Sequence, residues 1–316
     1  MSIMRGGYRR KRMRKRIEKK DDPDLILCSD LHLRTTAPVS RIDDYWEAQS
    51  VKIEFLKKIQ KKYSAPILCA GDVFDISRSI PFLEQWAIKN LPEIYAIPGQ
   101  HDLPNHNLKL YNKSSFSVLE AAGNIKLLSD QSTILSGCRV FGIPYGEKIK
   151  VDQNEAKKGY SILVLHTMVY KKKPIHKSVG GKSALSLLKK YPEFDLIVTG
   201  DNHQFFTEEY QGRLLVNCGS MMRIKSDQIK YDPQFHLWFS EENKIESVLF
   251  PFQPDVMNLE YVEKEKENNL KLEEFINKLK KTKEIGLSFT DNVESILEAG
   301  NIKKGVRNEV WEAIEN

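Results

Sequence analysis

The sequence predicts an α/β fold: a layered β-sheet core flanked by helices, with a small helical C-terminal appendage. Three observations predict it. Apolar runs of strand length alternate with stretches of helical spacing from residue 25 to residue 220. Five of those runs end, on their C-terminal side, in an acid, a histidine or a Gly-Asp or Gly-Gln-His-Asp cluster. That is the end at which open α/β sheets bind ligands. Beyond residue 255 the runs give way to a highly charged segment with helical stripes.

The elements follow in order. LILCSD (25–30) is an apolar run ending in an acid, VKIEFLKKIQKKY (51–63) has helical spacing, and APILCAGD (65–72) is a second short run ending in an acid. PFLEQWAIKN (81–90) reads as a helix and EIYAIPGQHD (93–102) as a third strand leading into polar residues. GCRVFGIPYG (137–146) and YSILVLHT (160–167) are strands, KSALSLLKKY (182–191) is a helix, and FDLIVTGDNH (194–203) and RLLVNCGS (213–220) are strands. Their lengths and Gly or acid endings favour strands over buried helix segments. In the appendage, Leu272, Phe275, Ile276 and Leu279 form a stripe. Thr290 or Asp291 can cap a second helix carrying Val293, Ile296 and Leu297, and Val306, Val310, Trp311 and Ile314 suit a third. The appendage either packs back on the core or docks a partner, with Trp311 as an anchor.

Length and composition bound the class. The chain has 316 residues, 41% hydrophobic, enough for a large core. No apolar run approaches the ~20 residues of a membrane span, and no apolar secretory segment opens the chain. Cys28, Cys69, Cys138 and Cys218 have no paired spacing, so they are expected reduced and the chain intracellular. Charge is segregated. Of 49 Lys/Arg and 43 Asp/Glu, residues 5–20 (RGGYRRKRMRKRIEKK) hold ten and one, which leaves 39 against 42 elsewhere. Such a tail attracts polyanions, chiefly nucleic acid, through counterion release, or else only solubilises the chain.

The strand ends present Asp30 and His32, Asp72, Gln100, His101 and Asp102, His166, and Asp201 and His203 to one crevice. In DLH (30–32) an extended backbone would turn both side chains to one side. Carboxylate, imidazole and amide donors are a mixed, fairly hard set that suits Mn²⁺, Fe²⁺ or Zn²⁺.

SDLHL (29–33), AGDVFD (70–75), PGQHD (98–102), LHT (165–167) and GDNH (200–203) resemble the signature of the calcineurin-like metallophosphoesterases, in its usual order. That pattern is D-x-H, G-D-x-x-D, G-N-H-D, H and G-H-x-H, and the resemblance spans roughly residues 24–225. Within the family the chain looks closest to SbcD-type DNA-repair nuclease subunits, bacteriophage versions included. GDVFDISRS, GQHDLP and VNCGSMMR (216–223) carry that likeness. The resemblance implies a basic tail over 1–22, a metallophosphoesterase domain over 23–255 and a helical module over 256–316.

It also implies two divalent metals, Mn²⁺ foremost with Mg²⁺ or Fe²⁺ as alternatives. Asp30, His32 and His203 would hold the first, Asp72 would bridge, and Gln100, His166 and Asp201 would complete the second. His101 stands where the family's catalytic histidine stands, as general acid, with Asp102 behind it. Gln100 replaces the family's Asn and Asp201 the first His of G-H-x-H, both at the second metal. Two metals about 3.5–4 Å apart clamp an in-line displacement at phosphorus, and the water they share becomes the nucleophile.

Arg78, His106, Lys172 and Arg223 are candidate nucleic-acid contacts, and Lys171, Lys173 and His176 belong to the same basic loop as Lys172. Tyr145 is a core tyrosine or a base-stacking one, and His236, in an apolar run with Trp238, is structural.

The resemblance implies an enzyme that cleaves DNA, an exonuclease with endonuclease activity as an option, in repair or recombination. Its expected partners are DNA, an SMC-like ATPase of the SbcC kind docked through the C-terminal helices, and a second copy in a homodimer. No membrane is expected, and the location is the cytoplasm, the host's if the origin is a phage. The same two-metal chemistry also serves phosphoprotein or small-molecule phosphatases and cyclic-nucleotide phosphodiesterases. A non-catalytic scaffold is the reading that would exploit the changes at Gln100 and Asp201.

Overall fold

The computed structural model of the protein describes residues 22–172 and 181–281, and residues 293, 294, 297, 302, 306, 307 and 310. The basic tail up to residue 21, Lys173 and His176, and Thr290, Asp291 and Trp311 lie outside the described residues. The chain divides into two compact units, Met1–Asn258 and Leu259–Asn316.

The first unit holds two six-stranded sheets. In the first, β1 (Leu25–Cys28), β2 (Ile67–Cys69), β3 (Ile94–Ala96) and β4 (Ile125–Leu127) run parallel. β13 (Gln234–Phe239) joins β1 antiparallel and β14 (Lys244–Leu249) closes the edge. In the second, β6 (Cys138–Ile143), β7 (Ser161–His166), β10 (Leu196–Gly200) and β12 (Arg213–Asn217) run parallel. β5 (Thr133–Leu135) and β11 (Phe206–Tyr210) are its antiparallel edges. A short ladder pairs β8 (Val169–Tyr170) with β9 (Lys182–Ser183).

The parallel strands are buried on both faces, which is why they read as unbroken apolar runs. Leu25, Leu27 and Leu68 of the first sheet pack against Val140, Ile162, Val164 and Val198 of the second. The opposite face of the first sheet, with Ile26, Ile67 and Ile94, carries α1 (Tyr45–Tyr63), α2 (Pro81–Asn90) and α3 (Ser115–Ala122). Phe141, Leu163 and Ile197, on the far face of the second, cover α5 (Ala184–Lys190), with Ala156 of α4 (Gln153–Ala156) beside them. The layers are therefore helix, sheet, sheet, helix, as the α/β reading expected.

Two helices differ from expectation. α1 starts six residues early, because Asp44 caps it by accepting the Glu47 N–H at 3.0 Å. Its buried face includes Gln49 and Lys52, whose polarity hid the first turns from an apolar count. Lys52 is satisfied by donating to the Met221 carbonyl at 2.8 Å. In the 182–191 segment, Lys182 and Ser183 pair as β9, so the helix begins at Ala184.

The second unit contains α6 (Leu259–Lys281). Leu272 of the expected stripe is exposed, whereas Val293 and Leu297 are buried. The side chains of Phe275, Ile276 and Leu279 lie outside the described residues. No helix among the described residues is long and apolar enough to cross a membrane. All four cysteines are buried thiols outside any disulfide.

His236 is structural, as expected. Its Nε2–H donates to the Cys218 carbonyl and its Nδ1 accepts from Ser247 Oγ, both at 3.1 Å, while its ring stacks on Phe205 at 4.3 Å. Burial pushes its pKa down to about 4, against the Cys218 hydrogen bond. The folded pKa lies below the unfolded one, so this contribution is complete above about pH 6.5 and is lost as pH falls towards 4. Linkage sets the loss at about 3 kcal/mol. Urea unfolding from pH 7 to pH 4 should show a loss smaller by about that amount in His236→Gln. Parallel pH profiles for the two proteins would contradict it.

Candidate metal centre

The strand register builds the site. Cys28, Cys69 and Ala96 lie side by side at the ends of β1, β2 and β3. The segments beyond them stay paired: Asp30 N–H donates to the Gly71 carbonyl and His32 N–H to the Asp72 carbonyl, each at 3.0 Å. In the second sheet His166 pairs with Gly200. Asp201 N–H reaches across to both carboxylate oxygens of Asp30 at 3.2 Å. This approach requires glycine. A Cβ at Gly200 would lie 2.1 Å from Ser29 Oγ, and one at Gly99 would lie 2.1 Å from Asp72 Oδ1.

The backbone here is not extended, which corrects the reading of DLH. Asp30, His32 and Asp72 are left-handed, with φ of 51°, 45° and 52°, and Asp201 has φ 80°. Non-glycine residues rarely adopt this conformation. Each turn re-aims one side chain into the crevice, and such outliers cluster at functional sites.

Asp30, His32 and His203 form one group of converging ligand atoms. His32 Nε2 lies 3.1 Å from His203 Nε2 and 3.8 Å from Asp30 Oδ1, and His203 Nε2 lies 3.7 Å from that oxygen. Donors held about 2.1 Å from one cation stand roughly 3.0–3.5 Å apart, so the group needs only slight closure. A second group joins Asp30, Asp72 and His166. Asp72 Oδ2 is 3.3 Å from His166 Nε2 and 3.8 Å from His32 Nε2, between the two groups. The other Asp72 oxygen is occupied by the His101 N–H at 2.9 Å.

The buried atoms here without a hydrogen-bond partner include Asp72 Oδ2, His166 Nε2 and Gln100 Oε1, together with His32 Nδ1, His203 Nδ1 and Ser29 Oγ. Interiors rarely leave such atoms unmatched. His166 Nδ1 faces the Ala70 carbonyl at 2.5 Å, which turns Nε2 inward. Gln100 Nε2 donates to Asp201 Oδ1 at 2.8 Å, which fixes the amide oxygen on the other side. The donor set therefore fits a pair of divalent cations.

Asp201, an expected ligand, belongs to neither of these two groups. Its carboxylate engages the Gln100 amide, so it positions that side chain. The two departures from the family pattern are thus one hydrogen-bonded pair. Removing an outer partner of a ligand typically weakens metal binding about 10–100-fold. Asp201→Ala should weaken the second cation by about that factor and Gln100→Ala, which also removes the amide donor, by at least as much, with the double variant no worse than the weaker single. Calorimetric titration decides: losses that simply add would show the pair is not coupled.

His101 is oriented differently from expectation. Its Nδ1 lies 2.8 Å from the Asp75 carbonyl, which can only accept, so Nδ1 carries the proton and Nε2 faces away. Asp102 does not touch the ring. Buried behind the turn, it accepts from the N–H groups of Val73, Phe74 and Gly99 at 3.2, 2.9 and 2.9 Å. It clamps the second and third strand ends together because three orphan amides there need an acceptor. Burial and the Asp72 charge raise its pKa to about 7, against those N–H groups.

Asp75 was overlooked, although AGDVFD displays it. Its carboxylate lies 3.5 Å from His32 Nδ1 and 3.1 Å from Arg34 Nη1, behind the first group. Carboxylates behind ligating histidines commonly fix their orientation.

The candidate nucleic-acid contacts separate. Arg223 is withdrawn, because it is buried: its guanidinium donates to the carbonyls of Gln253, Pro254 and Ile229 and lies over Phe252. Arg78 is exposed, with Nε 3.3 Å from the Lys113 carbonyl. Lys172 is exposed, and neighbouring Lys171 approaches Glu208. His106 is exposed, and its ring faces Tyr145, which in turn faces His166, each at 6.2 Å.

The electrostatics match a cation site. Burial opposes charge on His32, but Asp30, Asp75 and Asp72 outweigh it and raise its pKa to about 10. Burial likewise opposes charge on His166, and Asp72, Asp30 and Asp201 raise it well above the usual range. Burial holds His203 down at about 3, despite Asp30. In the metal-free chain, protons on His32 and His166 balance the carboxylates that a cation would neutralise.

Two six-stranded sheets whose facing strand ends bring carboxylates, histidines and one amide to a cation pair define a dinuclear phosphoesterase architecture. The Calcineurin-like phosphoesterase family matches residues 16–205, and the chain belongs to that family of metal-dependent phosphoesterases. Similar solved structures include TT1561 of Thermus thermophilus, 14% identical, with a TM-score of 0.46 over 71% of this chain and 97% of that one. An archaeal phosphodiesterase is 15% identical, with a TM-score of 0.40 over 72% and 99%. The phosphopantetheinyl hydrolase of Mycobacterium tuberculosis is 13% identical, with a TM-score of 0.43 over 72% and 96%. No curated protein matches the chain.

Proposed function

We propose that the protein is a two-metal phosphodiesterase that cleaves DNA in repair or recombination, closest in kind to SbcD-type nuclease subunits. The observation that carries the chemistry is the set of partnerless buried atoms, Asp72 Oδ2, His166 Nε2 and Gln100 Oε1, beside the Asp30–His32–His203 group. The basic segment at 5–20 and VNCGSMMR at 216–223 support the DNA substrate.

Asp30, His32 and His203 would hold the first cation and His166, Gln100 and Asp201 the second, with Asp72 placed to serve both and the Asp201 carboxylate fixing the Gln100 amide. Oxygen and imidazole donors without thiolate favour Mn²⁺. When bound, the metal pair supplies Lewis-acid polarisation of the phosphodiester and activation of the attacking water. His101 Nδ1–H is held by the Asp75 carbonyl, so in the imidazolium form the second proton, on Nε2, is the one that would pass to the leaving oxygen, leaving the ring neutral with its proton on Nδ1. The C-terminal unit docks an SMC-like ATPase of the SbcC kind, and the enzyme works in the cytoplasm, as a homodimer.

The test is Mn²⁺-loaded protein on end-labelled single- and double-stranded DNA, beside a phosphoserine peptide and a cyclic nucleotide. DNA shortening that is lost in His101→Ala is expected. Hydrolysis of the peptide or the cyclic nucleotide with intact DNA would contradict it.

A further inference from the structure

A groove of about 520 Å³ opens beside the metal centre, between the segment after β3 and the loops after β4 and β6. Its floor includes Pro98, from the turn that carries Gln100 and His101, and its walls present Lys109, Tyr111, Lys148 and Lys150. We propose that this groove holds a single-stranded polynucleotide, with Tyr145 and His106 as the stacking step that leads a strand to the metal centre. The proposal rests on the DNA-cleaving function above.

Four observations support it. The groove borders the turn that carries the centre: Pro98 lines it two residues before Gln100, and Tyr145, next to the lining residue Pro144, donates its N–H to the Pro98 carbonyl at 3.1 Å. The Tyr145 ring stands between His166, a candidate ligand, and His106, 6.2 Å from each. Asn105 and His106 are both left-handed, with φ 52°, so the chain adopts two rare conformations in succession where the exposed His106 is presented. Ile149 packs inward on the second sheet's outer cluster, which leaves Lys148 and Lys150 exposed on either side of it.

The chemistry selects the occupant. Lys109, Lys148 and Lys150 outnumber Asp130 and Glu147 in the lining, so the groove favours a polyanion. The exposed His106 ring and the half-buried Tyr145 ring stack only on an unpaired base, since paired bases in a duplex hide their faces. The volume suits roughly one nucleotide unit, within the ~300–1,000 Å³ of small-molecule sites.

The experiment compares two substrates in wild type, the triple variant Lys109→Glu/Lys148→Glu/Lys150→Glu, and His106→Ala. A short deoxythymidine oligonucleotide reports the groove, and bis(p-nitrophenyl) phosphate reports the metal centre alone. The triple variant should lower the ratio of their kcat/KM values about tenfold or more. It should also flatten the salt dependence of oligonucleotide cleavage by about 2 log units per log unit, near 0.7 for each phosphate that a lysine no longer neutralises. His106→Ala should lower the same ratio roughly fivefold or more. A wild-type enzyme that cleaves the oligonucleotide, with a triple variant that keeps its ratio and salt slope, overturns the groove and leaves the nuclease function standing. With a duplex of the same length added as a third substrate, equal losses on single-stranded and duplex DNA overturn the single-strand assignment. A wild type that hydrolyses the small diester and no DNA overturns the DNA-cleaving function itself.

Discussion

His101→Ala is expected to give a folded, metal-loaded protein whose DNA cleavage falls by about 10²–10⁴-fold, the usual worth of a general acid. The geometry separates the residue's two jobs. Its backbone N–H secures Asp72 Oδ1, and this bond survives the substitution. Its ring touches no candidate ligand atom by hydrogen bond; it stands edge-on to His32 at 4.9 Å, held by the Asp75 carbonyl. Metal content should therefore stay at the wild-type level. The loss should be much smaller on bis(p-nitrophenyl) phosphate, whose nitrophenolate leaves without help, than on DNA, whose sugar oxygen needs a proton. Equal losses on both would show that His101 does something other than donate that proton.

Asp72→Ala should abolish activity and leave at most one Mn²⁺ bound. A single Asp72 oxygen approaches a histidine of each group, His32 at 3.8 Å and His166 at 3.3 Å. Among Asp72, His32 and His166 it also supplies the only negative charge, and removing it leaves two buried histidines competing for Asp30. Two-metal catalysis requires both ions, so the rate should fall by about three orders of magnitude or more. Asp72→Asn tests the charge alone, since its amide oxygen can still accept the His101 N–H. It should fold as wild type and bind metal weakly. A full complement of tightly bound Mn²⁺ in Asp72→Asn would show that the bridging carboxylate is not what holds the pair.

Much of this centre is legible in the sequence, because parallel strands buried on both faces leave only their ends free for polar residues. LILC before Ser29-Asp30 and ILCA before Gly71-Asp72 show the change of character at one residue. What the sequence conceals has physical causes. Left-handed backbone at Asp30, His32, Asp72 and Asp201 suits Asp and His better than other non-glycine residues, but nothing local marks these four among the chain's many Asp and His; the neighbouring strand ends hold them there. Asp102 looks like a partner for its neighbour His101, yet its carboxylate is claimed by the Gly99 amide of its own turn and by two amides from the strand end beside it. Arg223 follows a motif and looks like a surface cation. Only the packing of residues 252–254 over it shows that it is buried. Gln100 and Asp201 stand 101 positions apart, so only the fold shows that they bond.

The central claim is that these strand ends hold two cations in one coupled site. The most direct measurement is a Mn²⁺ titration followed by calorimetry and electron paramagnetic resonance. Two Mn²⁺ per chain, giving an exchange-coupled signal that His166→Ala reduces to that of isolated ions, are predicted. A single Mn²⁺ per chain with an uncoupled signal in the wild type would contradict the account.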